Sequence, residues 1–189
     1  MKTVQLAALM TTTFLFLFAP LGEARAGDVP LGSDEPTALP QLVESQVSPY
    51  IAHGDQLAAE GKFGAARREY KAAAEIVRKA GKLPAHAMRR IANSFYYEER
   101  FQSAGKVLLD LADEAATFGD VVTQVWATAD AAWVAAAAGD KIDAERRLAS
   151  LERLLASPYL PDEVRSEVTS KRLALAARAR TLTADAGSR

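Results

Sequence analysis

Residues 50–77, YIAHGDQLAAEGKFGAARREYKAAAEIV, decide the fold. A Gly-Lys turn at Gly61 and Lys62 divides two runs of helix-forming residues. In the second run Phe63, Ala66, Tyr70, Ala73 and Val77 step by three or four, which lays all five along one side of a helix. The same steps return 38 residues later as Phe101, Ala104, Leu108, Leu111 and Ala115, and 40 residues after that as Lys141, Ala144, Leu148, Leu151 and Leu155. Only Lys141 departs from the apolar pattern, so the stretch is the first unit of an internal repeat made of a helix, a tight turn and a helix.

Working outward, Ser48 as N-cap and Pro49 in the first turn start the first helix, because proline there gives up an N–H that has no helical partner. Gly61 and Gly64 flank the hairpin turn, and Gly81 ends the second helix before Pro84 opens a third that runs to about residue 99. A fourth helix is expected over 101–118 with Gly119 closing it, a fifth over 120–138 stopped by Gly139-Asp140, and a sixth over 142–156. Ser157-Pro158-Tyr159-Leu160-Pro161 then breaks the chain. A seventh helix over 162–183 carries Val164, Val168, Leu175, Ala179 and Leu182 on one face. Alanine dominates these segments while β-branched and aromatic residues are sparse, so the chain is all-α.

Ahead of the repeats, Lys2 precedes a mostly apolar run over residues 4–21, and Ala24-Arg25-Ala26 follows. A charged start, a short apolar middle and small residues before a cut predict a secretory signal peptide over 1–26, cleaved after Ala26. The run is interrupted by Gln5, Thr11 to Thr13 and Pro20 and falls short of the ~20 apolar residues of a membrane span, so no stable membrane insertion is expected after cleavage. The mature protein is expected in a bacterial periplasm or beyond. Residues 27–47, with Pro30, Pro36, Pro40 and Gly32, are expected as a flexible linker, 48–183 as the repeat domain and 184–189 as a disordered tail.

Composition narrows the chemistry. Lys plus Arg number 23 against 24 Asp plus Glu, so no global field draws the chain to nucleic acid or anionic lipid. The absence of cysteine excludes disulfides, thiolate metal sites and cysteine nucleophiles. His53 and His86, the only histidines, have no acidic partner at ligand spacing, and neither a phosphate-cradling glycine loop, a Gly-x-Ser-x-Gly elbow nor a His-Glu-x-x-His pair occurs. His53 is expected to pack beside Tyr50. Glu98, Glu99, Asp110, Asp113 and Glu114 read as ordinary solvated acids. The sequence therefore points away from an enzyme and asks for no cofactor or metal.

Each hairpin resembles a tetratricopeptide repeat, whose signature is a large residue, two spacers, Leu-Gly, two spacers, Tyr, then Ala-x3-Phe and a late Pro. Unit one reads Tyr50-x2-His53-Gly54-x2-Leu57 and Ala66-x3-Tyr70. Unit two reads Met88-x2-Ile91-Ala92-x2-Phe95 and Ala104-x3-Leu108, and unit three Thr128-x2-Ala131-Ala132-x2-Ala135 and Ala144-x3-Leu148. The small residues Gly54, Ala92 and Ala132 are expected to meet Ala66, Ala104 and Ala144, letting the paired axes come close. Spacings of 38 and 40 exceed the family's ~34 residues by one to nearly two turns, which bears on the curvature.

The resemblance implies a right-handed superhelix of three antiparallel helical hairpins with the seventh helix as a C-terminal cap, its Arg165, Lys171, Arg172 and Arg178 turned to solvent. It also implies a non-catalytic binding or scaffolding module for another envelope protein or peptide. The concave groove would be lined by the first helix of each unit: Ile51 and Asp55, then His86, Arg89, Asn93, Tyr96 and Tyr97, then Trp126, Asp130 and Trp133. Arg89 and Asn93, four apart, would grip a carboxylate and a peptide backbone. One of the two tryptophans is expected in the core and the other in the groove. The alternative function is a structural subunit that self-associates without a groove ligand; the oligomeric state is left open.

Overall fold

The computed structural model describes the backbone of residues 38–186 and the side chains of residues 42–176. The expected signal peptide, the start of the linker and residues 187–189 lie outside the described residues. Seven helices follow one another: α1 (Ala38–Ala59), α2 (Phe63–Lys79), α3 (Ala85–Tyr97), α4 (Phe101–Phe118), α5 (Val121–Ala137), α6 (Lys141–Leu155) and α7 (Asp162–Ala186). No strand occurs among the described residues. Each helix packs on the next in the chain, and α7 packs on both α5 and α6.

The repeat shows in the backbone as well as in the core. The hairpin turns of the three units place Gly61, Glu99 and Gly139 in the left-handed region at φ 74°, 58° and 75°. The turns between units do the same with Gly81 and Gly119, both at φ 70°. Glu99 is the exception in kind, since a side chain in that region costs roughly 1–2 kcal/mol. Glu99→Gly is expected to raise stability by about 1 kcal/mol, the relief exceeding what glycine loses through a freer unfolded chain. A urea midpoint that moves up at unchanged slope would report it; a midpoint that falls would show that Glu99 makes a compensating contact.

The second helices bury the positions that the periodicity singles out. Ala66, Tyr70 and Ala73, then Ala104, Leu108, Leu111 and Ala115, then Ala144 and Leu151 are all buried. Ala92 shares a core cluster with Ala104, and Ala132 with Ala144. In unit one the close approach is tighter: a methyl built on Gly54 would lie 2.4 Å from Cε1 of Tyr70. The small residues thus lie within the cores that join the paired helices, although Gly54 meets the Tyr70 ring rather than Ala66.

Ion pairs tie the units together. The Arg67 guanidinium of α2 reaches Glu98 at 2.7 Å and lies 4.2 Å from the centre of the Phe95 ring, to which Arg100 also comes within 4.8 Å. Arg78 of α2 pairs with Glu114 of α4 at 2.8 Å. Glu98 and Glu114 are therefore partners of arginines on other helices, a role their helical surroundings in the sequence do not announce. His53 sets its Nδ1 3.5 Å from Glu69.

Three expectations are corrected. First, α1 begins at Ala38, not Ser48, so residues 38–47 of the expected linker are helical and Pro49 lies inside the helix. Pro40 sits in the first turn, where no N–H is needed. Pro49 and Ser45, whose carbonyl loses its helical donor, are both exposed, so water can take that bond, while Val43 and Val47 pack on the α2 core from the other side. Second, α7 continues to Ala186, which takes in the first three residues of the expected tail. Third, Arg165, Lys171 and Arg172 turn toward α5, α6 and the connection before α7 rather than to solvent. Arg165 donates to the carbonyls of Leu155, Ser157 and Leu160. Lys171 pairs with Asp130 at 2.8 Å, and Arg172 pairs with Glu152. Long stems let cations reach back to orphan carbonyls and carboxylates. The side chain of Arg178 lies outside the described residues.

Candidate functional site

The expected groove residues divide into two groups. On α3, His86, Arg89, Asn93 and Tyr97 step by three, four and four and so share one side of the helix. Arg90 is turned further toward α1 and holds the first unit to the second: its Nη1 lies 2.7 Å from Oδ1 of Asp55, which also accepts the Tyr70 hydroxyl proton at 2.7 Å. Burial and the Asp55 carboxylate push the Tyr70 phenol well above its ordinary value, so it stays a donor. Asp55, expected in the groove, is thus spoken for by Arg90 and Tyr70. Ile51 does not line a groove; it is buried in the core with Ala66 and Tyr70, because its position on α1 faces α2.

Arg90 also donates from Nε to Nε2 of His86 at 3.2 Å, which requires the imidazole to be neutral. Partial burial of its ring and the Arg90 charge hold His86, exposed as a residue, below its ordinary value of 6.5, against the opposing pull of Asp55 and Glu44. The folded state therefore disfavours protonation. This contribution is fully present above the unfolded value of about 6.5 and is lost as pH falls through the lower folded value. Denaturant unfolding at about pH 7 and about pH 5 should show wild type losing more stability on acidification than His86→Gln, and equal losses would remove the argument.

Arg89 stands apart from Arg90, the other cation of α3. It is half-buried, its Nε is shut off from solvent without a hydrogen-bond partner, and no carboxylate among the described residues lies within ion-pair distance. Asn93, one turn on, is also half-buried. Tyr97 is exposed and stacks on Phe63 at 5.9 Å, while Tyr96 meets both Tyr97 and Phe101 edge to face. Rings at the hairpin-turn end thus support the tyrosines from α2 and α4, which orients them without covering Tyr97.

On α5 the arrangement differs. Asp130 is buried and receives Lys171 of α7, whose ammonium also lies 4.9 Å from the centre of the Trp126 ring. Trp126 belongs to the cluster of Val125, Leu160 and Val168, and Trp133 to that of Ala136, Ala144 and Leu175. Both rings are half-buried, so neither is the fully buried core tryptophan and neither stands free; α7 sets Lys171 over Trp126 and contributes Leu175 to the cluster on which Trp133 packs. The signal that could have found this is the spacing of Val164, Val168, Lys171 and Leu175, a single stripe with one cation in it.

Compared with known proteins, the chain matches no family model, no curated protein and no solved structure. Among the described residues no group of three or more histidine, aspartate or glutamate side chains is placed to hold a metal ion, and no helix is long and apolar enough to cross a membrane.

Proposed function

We propose that the chain is an exported, non-catalytic binding module of the bacterial cell envelope, built as a tetratricopeptide-like right-handed superhelix, whose α3 face holds a peptide or an extended segment of another envelope protein. The observation that supports this reading is Arg89, a half-buried arginine with no acidic partner among the described residues. Its Nε is enclosed, but its two Nη groups are not shut off in that way and can donate charge-assisted hydrogen bonds to a partner carboxylate. Asn93 beside it offers both a donor and an acceptor to a peptide backbone, and exposed Tyr97 offers a ring to a side chain.

The test compares capture of envelope proteins by wild type and by Arg89→Ala, using the mature chain that begins at Gly27. A charge-assisted hydrogen bond is worth roughly 1.5–3 kcal/mol, so the partner's affinity should fall about 10- to 100-fold in the variant. Equal recovery by both would remove the α3 face as the site. The competing reading, a self-associating structural subunit, predicts oligomers by light scattering at concentrations where the present reading predicts a monomer.

A further inference from the structure

The α5 face is occupied by the chain's own last helix, and the manner of that occupancy is informative. Val164, Val168, Lys171 and Leu175 step by four, three and four along α7 and turn one stripe to α5 and α6. Of these, Val168 and Leu175 are fully buried. Between them sits a lysine, placed against a buried aspartate and over a tryptophan. A buried ion pair in an apolar seam adds little stability over a hydrophobic pair of the same size, but it rejects helices that bring no cation and fixes the register of one that does.

The attachment of α7 also differs from that of the repeats. The turns between units close through a left-handed glycine, Gly81 or Gly119. The corresponding connection before α7 holds Pro158 and Pro161 instead, and Arg165 ties up its carbonyls. Among the described side chains, which end at residue 176, α7 is held by Val164, Val168 and Leu175 and by the charged groups Arg165, Lys171 and Arg172. The α5 side of the seat, by contrast, is a helix with ten buried residues that is locked between α4 and α6. The seat is part of the repeat stack, and the described part of its occupant is matched to it by charge as well as by apolar contact.

We infer that the α5 face is a recognition site for an amphipathic helix that carries a lysine with an aliphatic residue three positions before it and another four positions after it, and that α7 fills this site in cis until a partner helix of that pattern displaces it. The Asp130 carboxylate selects the cation, Trp126 covers it, and the clusters around Val168 and Leu175 take the two aliphatics. The inference is independent of whether the α3 face holds a ligand, since it uses none of the residues on that face.

The test uses the full chain and a synthetic peptide of residues 160–183 as the partner helix. In wild type, α7 competes at an effective concentration on the order of millimolar, so the peptide should bind weakly. Lys171→Glu sets two carboxylates against each other, frees α7, and should tighten peptide binding at least tenfold. The peptide carrying the same Lys171→Glu change should fail on that chain and bind the Asp130→Lys chain, in which Lys171 of α7 faces a lysine and leaves the site open. No gain in binding by a folded Lys171→Glu chain overturns the inference. If that variant does not fold, hydrogen exchange on wild type decides: α7 amides exchanging well ahead of α5 amides supports a displaceable helix, and equal protection overturns it.

Discussion

Gly54→Val should destabilise the first hairpin by about 3 kcal/mol or more. In a helix interior glycine is a poor choice, and replacing it normally gains up to about 1 kcal/mol for alanine. Here the sign reverses. A Cβ at this position would sit 2.4 Å from Cε1 and 2.8 Å from Cδ1 of Tyr70. The ring cannot move aside, because it is 2 % exposed and its hydroxyl is bonded to Asp55, which in turn holds Arg90 of α3. Overpacking of this kind costs typically about 1–3 kcal/mol, and valine's two γ-methyl groups extend the clash toward and past the upper end. Gly54→Ala is expected to lose about 1–2 kcal/mol, and Gly54→Val about 3 kcal/mol or more. Gly64→Ala is the control, since its nearest neighbour is the end of the Arg67 side chain at 3.7 Å; it should gain up to about 1 kcal/mol. Equilibrium urea unfolding of the three variants settles the matter. A stabilised Gly54→Ala would mean that α1 and α2 do not approach as closely as the ring contact requires.

The same position explains what could be read from the chain in advance. A glycine in the middle of an otherwise helical run made a close approach at Gly54 legible, but not its partner: Ala66 was expected there, and the Tyr70 ring takes that place. The turns were legible as well, because Gly81 and Gly119 are punctuation that only a left-handed backbone requires, and α4 occupies the expected residues 101–118. What was not legible depended on tertiary partners. Pro49 reads as a helix start because the local rule against interior proline is strong, and only the packing of Val43 and Val47 on α2 overrides it. The cations of α7 read as a solvated face because nothing in the local sequence tells Lys171 of an aspartate 41 residues away. Within the candidate site, the resemblance put His86, Arg89 and Asn93 on one face of α3, but it could not distinguish Arg89, which has no ion-pair partner among the described residues, from Arg90, which joins α1 to α3. That difference is a matter of which way one helix faces another.

The Asp130–Lys171 pair carries the second large effect, and its asymmetry is the point. Lys171→Met keeps the stem's apolar contacts and removes only the charge, leaving a carboxylate at a position that is 4 % exposed. Removing one partner of a buried pair costs about 3–5 kcal/mol, and since the Lys171 side chain is 22 % exposed the loss here is expected nearer 2–4 kcal/mol. Asp130→Val leaves the lysine instead, and its flexible stem can swing the ammonium toward water, so that loss should be about 1 kcal/mol. The double variant puts two apolar groups in the seam and should recover most of the stability. Unfolding free energies around this cycle would therefore give a strongly non-additive result, with the double variant more stable than Lys171→Met alone. If the two losses simply add, the pair is not coupled and Asp130 is satisfied by something other than α7. If the cycle behaves as expected, an easily obtained apolar pair would hold α7 nearly as well as the ionic one. The lysine and aspartate would then serve to choose which helix sits on α5, and the double variant would hold α7 without requiring a cation from it.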